Sequence, residues 1–176
     1  MEGSLRRQKI LEMLEQGEAP VSGAALAGIF GVSRQVIVQD IALLRATDKN
    51  ILSTNKGYVV YGKKKPGRCR RILPVKHTDE QMQDELYTIV DAGAEVLDVV
   101  VEHDVYGQIA VDLMISSRRD VDEFIHKIFA NPAKPLKELT GDAHYHTIEA
   151  GSEAALDEVE KNLKEKGYLI DFEGRM

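Results

Sequence analysis

The stretch that decides the fold runs from Val21 to Ala46, VSGAALAGIFGVSRQVIVQDIALLRA. Ser22 stands where a side-chain oxygen caps a short helix that reaches Ile29 or Phe30. Gly31 suits a left-handed C-cap, and Ser33 caps the helix that follows. Two helices joined by a tight glycine-containing turn make a helix-turn-helix. Upstream, Leu5, Ile10, Leu11 and Leu14 form an apolar stripe over Ser4–Glu15, a further helix ended by Gly17. Downstream, ILSTNKGYVVY (Ile51–Tyr61) reads as two short strands around a turn at Asn55–Gly57. Helices followed by such a hairpin give a winged arrangement.

The faces of the second helix separate its roles. At about 100° per residue, Arg34, Gln35, Val38, Gln39, Ala42 and Arg45 share one arc. Val36, Ile37, Leu43 and Leu44 lie elsewhere and can reach a core. Guanidinium and carboxamide groups are the side chains that read guanine and adenine edges in a major groove. The start of such a helix is where bases are usually touched. Ser33, Arg34, Gln35, Gln39 and Arg45, with Lys56 in the wing turn, are therefore the candidate contacts to double-stranded DNA. The alternative is an ordinary solvated helix face.

Charge agrees in sign but adds little. Residues 1–71 hold 13 Lys and Arg against 6 Asp and Glu, a net of +7. Residues 72–176 hold 10 against 23, a net of −13. Six of the positive charges fall in KKKPGRCRR, however, and without them the first 62 residues are near neutral. The division still suggests a winged helix-turn-helix domain over 1–62, a basic linker over 63–71 and a second domain over 72–176. The chain's 176 residues suffice for two small domains. A hydrophobic content of 43% and a charged content of 30% are ordinary for a globular protein. No apolar run approaches a membrane span, and MEGSLRRQKILEML lacks a secretory h-region. One cysteine, Cys69, excludes an internal disulfide framework and a four-cysteine zinc site. Together these predict a cytoplasmic protein with no membrane partner.

From Ile72 onward, strand and helix patterns alternate. ILPVK is a strand; Thr78 and Gln81 form a capping box that opens a helix to about Asp91. LDVVVEH and IAVDLMI are strands around a turn at Tyr106–Gly107. Ser117 and Asp120 cap a helix with the stripe Val121, Phe124, Ile125, Ile128 and Phe129. NPAKP breaks the chain, Leu136–Leu139 reads as a short strand, and AHYHTIEA is another. Ser152 caps a helix to about Lys166, Gly167 stops it, and YLIDF is a closing strand. Helices on one face of a largely antiparallel sheet make an α+β open sandwich.

Within DAHYHTIEA, His144 and His146 share one strand face with Ile148, while Tyr145 points the other way. Two imidazoles on one face can bind a metal, do acid–base chemistry or simply pack. His77 lies where a strand gives way to a helix. Glu85 sits at the margin of that helix's stripe of Met82, Leu86 and Ile89, whereas Asp84 points away. A carboxylate at the edge of a buried stripe needs a partner. A divalent cation would supply one, and imidazole with carboxylate suits zinc, iron, nickel or manganese without choosing among them. His126 reads as solvated, and His103 as a strand-end residue that could line a pocket.

PVSGAALAGIFGVSRQVIVQDIALLR, VKHTDEQMQDEL, VEHDVYGQI and HYHTIEA, in that order, resemble the niacin-responsive transcriptional repressors (the NiaR family). These join a winged helix-turn-helix to a three-histidine (3H) domain. The C-terminal motifs are the specific part of the resemblance; the DNA-binding motif is shared by many bacterial regulators. The resemblance implies an HPr-like α/β sandwich and a divalent transition metal on His77, Glu85, His144 and His146. It also implies nicotinic acid as co-repressor of genes for NAD synthesis or niacin uptake, and a homodimer on a palindromic operator. His103 and Tyr106 are candidate effector contacts. Asp104 stands where proline is expected, a departure near His103. No nucleophile or further general base stands out, so the expectation is a regulator and not an enzyme. A repressor in which the metal itself is the signal, with no niacin effector, is the other reading.

Overall fold

A computed structural model describes residues 2–47, 50–60 and 67–171. The chain divides into two compact units, Met1–Lys64 and Lys65–Met176. In the first, α1 (Gly3–Gln16), α2 (Gly23–Phe30) and α3 (Arg34–Ala46) precede the hairpin of β1 (Ile51–Thr54) and β2 (Gly57–Val60). The capping residues do what their chemistry allows. Ser22 Oγ accepts from the Ala25 N–H, Ser33 Oγ accepts from the Val36 N–H, and Gly31 takes φ 64° between the two helices. Ile10, Leu14, Leu26, Ile37, Ile41, Leu44 and Ile51 form the core. Leu43, expected to reach that core, is instead 53% exposed, because Ile37, Ile41 and Leu44 already supply the inner row of α3.

Two features of this unit had no sequence signal. Asp40 lies on the inner face of α3, where Arg6 Nε donates to it at 2.6 Å and Arg7 pairs with it at 3.3 Å. The carboxylate is nearly inaccessible, so these arginines supply the partners that a buried charge requires. The wing is anchored at Val21, which exchanges two 2.8 Å backbone hydrogen bonds with Tyr58. Gly57 makes that approach possible. A Cβ there would stand 2.3 Å from the Val21 carbonyl oxygen, and its φ is 137°.

The second unit is built on β3 (Cys69–Lys76), β4 (Glu95–His103), β5 (Gly107–Ile115) and β6 (Ala143–Ala150). The order β5-β4-β6-β3 is antiparallel throughout. Helices α4 (Met82–Asp91), α5 (Arg118–Ala130) and α6 (Glu153–Glu165) send Met82, Leu86, Ile89, Val121, Leu156, Val159 and Leu163 into one core with the sheet's Leu73, Val75, Val96, Leu113, Ile115 and Ile148. Ser117 and Ser152 cap their helices as their positions predict.

Five sequence expectations change. Cys69, Arg70 and Arg71, assigned to the linker, belong to β3, and Arg71 binds Glu153, Asp157 and Glu160 of α6 at 2.8–2.9 Å. Residues 63–66 of that linker lie outside the described residues, as does Tyr61 of the wing. The capping box is half formed. The Thr78 N–H donates to Gln81 Oε1 at 3.0 Å, but a turn intervenes and α4 begins at Met82. Leu136–Thr140 is a 3-10 helix and not a strand, since Pro135 opens it and Gly141 and Asp142 close it with φ of 64° and 70°. Phe172 of the closing segment lies outside the described residues, and residues 168–171 make an isolated bridge, Leu169 to Val75. Pro74 beside that bridge accepts from the Ile170 N–H but has no N–H to return. Phe129 is 58% exposed, at the solvent edge of its helix stripe.

Candidate metal centre and nucleic-acid interface

The three histidines of the C-terminal motifs come together. Strand alternation puts His144 and His146 on the inward face of β6, and His77 reaches them from the end of β3. Ring centroids lie 4.8 Å apart for His77–His144 and for His144–His146, edge to face in both pairs. One nitrogen from each ring lies within 4.8 Å of those of the other two. Glu85, one turn into α4, completes the group from the opposite layer. Its carboxylate is 3.8 Å from His77 Nε2 and 3.5 Å from His146 Nε2. All four side chains are buried, Glu85 completely.

Each imidazole is oriented by a backbone carbonyl. His77 Nδ1 bonds to the Thr78 oxygen at 2.8 Å, His144 Nδ1 to the Asp142 oxygen at 2.8 Å, and His146 Nδ1 to the Asp98 oxygen at 2.7 Å. A carbonyl only accepts, so each Nδ1 carries a proton and each Nε2 faces the interior of the group. The Asp98 carbonyl is available because β4 shifts register between Val96 and Val100. That irregularity buries Val96 and Leu97 in succession and also lets Asp98 Oδ1 accept from the Thr147 N–H at 2.9 Å.

The electrostatics set burial against the mutual attraction of Glu85 and the imidazoles. Burial pushes the His144 imidazolium down to about 3, with the neighbouring His146 adding to it. Burial likewise lowers His77. Burial also opposes a charge on His146, but Glu85 outweighs it and holds that ring above its usual value. Glu85 resists the upward pull of burial because His146 first, then His77, favour its ionised form. Even so, neither Glu85 oxygen has a hydrogen-bond partner among the described residues. An ionised carboxylate without hydrogen bonds in a fully buried position is costly. Three inward-facing imidazole nitrogens and one carboxylate without a hydrogen bond match the donor set of a divalent transition metal, which would take the place of any proton on His146 Nε2.

A cavity of about 130 Å3 opens beside this group. Its walls are mostly apolar, formed by Val99, Val111, Leu113, Phe124, Ile128 and Leu136, and its polar end holds the histidines, Glu85 and Lys137. His103 and Tyr106 do not line it. They sit at the β4–β5 turn, where His103 Nδ1 accepts from the Val105 and Tyr106 N–H groups and the two rings stack at 4.9 Å. Sequence reading picked the histidine nearest a turn, whereas the cavity is walled by apolar residues that carry no such mark. It also missed Lys137 and the three orienting carbonyls, because backbone acceptors leave no residue-type signature.

The other candidate set lies on α3 and the wing. Arg34, Gln35, Gln39 and Arg45 are all exposed on one helix face. Arg45 Nε donates to the Ile51 carbonyl at 2.8 Å, tying the helix end to the hairpin. Ser33 uses its hydroxyl in the cap, and Lys56 sits in the wing turn, half-buried. No single helix among the described residues is long and apolar enough to cross a membrane.

Comparison with known families places both units. Residues 6–59 match an HTH domain and residues 70–172 match the 3H domain. The chain belongs to the 3H-domain family of helix-turn-helix repressors. It is 43% identical over 94% of its length, and 94% of the relative's, to a "Probable transcription repressor NiaR" of Thermotoga maritima. It is 39% identical over 96% of its length, and 94% of the relative's, to the "Transcription repressor NadR" of Bacillus subtilis. In family terms, the clustered His77, His144 and His146 lie in the 3H domain, and the exposed arginines and amides lie in the HTH domain.

Proposed function

We propose that this 3H-family protein represses genes of NAD synthesis or niacin uptake, with nicotinic acid as co-repressor and a divalent metal on His77, Glu85, His144 and His146. The observation that carries the reading is the orphaned Glu85 carboxylate facing three pre-oriented imidazoles at the polar end of an otherwise apolar cavity. A bound cation would satisfy the carboxylate and give an anionic ligand a centre of attraction. A flat aromatic ring with one carboxylate suits the rest of the cavity, its ring against Phe124, Ile128 and Leu136 and its charge toward the metal. A homodimer would present two copies of α3 to operator half-sites one helical turn, or a multiple, apart. Arg34, Gln35 and Gln39 would read bases, and Lys56 would meet the backbone. The effector acts by binding the DNA-competent state more tightly than the other.

Two substitutions separate the roles. Arg34→Ala weakens operator binding by about 1–3 kcal/mol and leaves metal content unchanged. His144→Ala loses the metal. Full metal occupancy in His144→Ala, measured by elemental analysis, would remove the site assignment, and undiminished operator affinity in Arg34→Ala would remove α3 as the reading helix.

A further inference from the structure

Lys137 is a lysine with only 3% of its side chain exposed, and it stands beside the histidine cluster without belonging to it. Its ammonium bridges two carboxylates, Asp142 Oδ1 at 2.6 Å and Asp79 Oδ1 at 2.7 Å. Its own carbonyl collects the N–H groups of Gly141 and Asp142, while the Thr140 hydroxyl donates to the Ala143 carbonyl. One residue is thus the hub of the turn over 136–142 and is also joined to the loop that follows His77.

Those two loops contain the carbonyls that set two of the three imidazoles. Asp142 holds φ at 70°, a left-handed conformation that costs a non-glycine residue free energy unless its surroundings impose it. In that conformation its carbonyl accepts from His144 Nδ1. Asp79 follows Thr78, whose carbonyl accepts from His77 Nδ1. We infer that Lys137 is a positioning residue. By binding Asp142 and Asp79 together, it fixes the Asp142 and Thr78 carbonyls and so keeps His144 and His77 protonated at Nδ1, with Nε2 free to take a metal. His146 takes its orientation from Asp98 of β4, outside this clamp. It is the internal control.

The inference rests on the metal reading for its consequence but not for its first test. In metal-free full-length protein, 15N NMR of the imidazoles reports the tautomers directly. In alkaline buffer, where all three rings are neutral, wild type gives the Nδ1–H pattern for each of them. Lys137→Met, which keeps an apolar stem, loses that pattern at His77 and His144 and keeps it at His146, and Lys137→Arg restores it. Zinc affinity, measured by competition with a chromogenic chelator, falls 10–100-fold in Lys137→Met, the range for loss of groups that orient ligands. If Lys137→Met does not fold, Asp142→Asn and Asp79→Asn ask the same question one ring at a time, at His144 and His77 respectively. Unchanged tautomers at both rings in a variant with lowered thermal stability would reduce Lys137 to a structural ion pair and overturn the inference. A wild type that shows the tautomers yet binds no zinc would instead refute the metal reading and leave the clamp standing.

Discussion

At the residue scale, Glu85 carries the most information. It has no exposed surface and no hydrogen bond among the described residues, while two imidazole nitrogens face it. Without a metal its charge is balanced by the neighbouring imidazoles, His146 above all. Glu85→Gln is expected to lower zinc or nickel affinity by roughly tenfold or more and to lower the melting temperature of the metal-free protein at neutral pH. Chelation is expected to lower the wild-type melting temperature. An ion present at about 100 times its Kd contributes about 2.7 kcal/mol, and removing it takes that away. Chelator competition and thermal melts of both proteins, with and without metal, check these expectations, and wild-type metal affinity in the variant would count against Glu85 as a ligand. Legibility at this scale was good for the clustered side chains and poor for the groups that orient them. The spacing of His144 and His146, and the place of Glu85 beside Met82 and Ile89, are written in residue types. The carbonyls of Thr78, Asp98 and Asp142 are not, because every residue has one and only the backbone path aims it.

At the element scale, the serine caps show what local chemistry can specify. Ser22, Ser33, Ser117 and Ser152 each accept a backbone N–H at the start of the helix that their positions predict. Elements that depend on a distant partner were less legible. Leu136–Thr140 has strand-like composition, but its conformation is set by Pro135 before it and by the turn at Gly141–Asp142. Among the described residues, the YLIDF segment has one bridge because its neighbour contains Pro74. The wing follows the same logic, since β2 relies on Val21 and Gly57 is what lets the two backbones meet. Gly57→Ala is expected to destabilise the N-terminal unit by about 1–3 kcal/mol, through the strained φ and the clash with Val21. It should weaken operator binding without altering metal content. Thermal melting with elemental analysis checks this, and an unshifted transition would show that the wing is not held at Val21.

At the scale of the whole molecule, the uneven charge is a statement about partners. The basic first 71 residues and the acidic remainder carry +7 and −13. On the proposed reading, phosphate contacts would make operator affinity fall steeply with salt, whereas a carboxylate ligand drawn to a buried metal would be far less screened. The two halves of the sequence pattern, HTH-like and then alternating α and β, predicted the division into two units, because each half has its own apolar periodicity and its own core. In the proposed mechanism metal, effector and operator are joined by a coupling free energy. The central claim is therefore tested most directly by titrating nicotinic acid into metal-quantified protein and following a gel shift on the chain's own promoter and on NAD-synthesis promoters. The account predicts that micromolar nicotinic acid tightens DNA binding and that chelation abolishes the effect. DNA binding that follows the metal alone, with nicotinic acid inert, would contradict it and make the cation itself the signal.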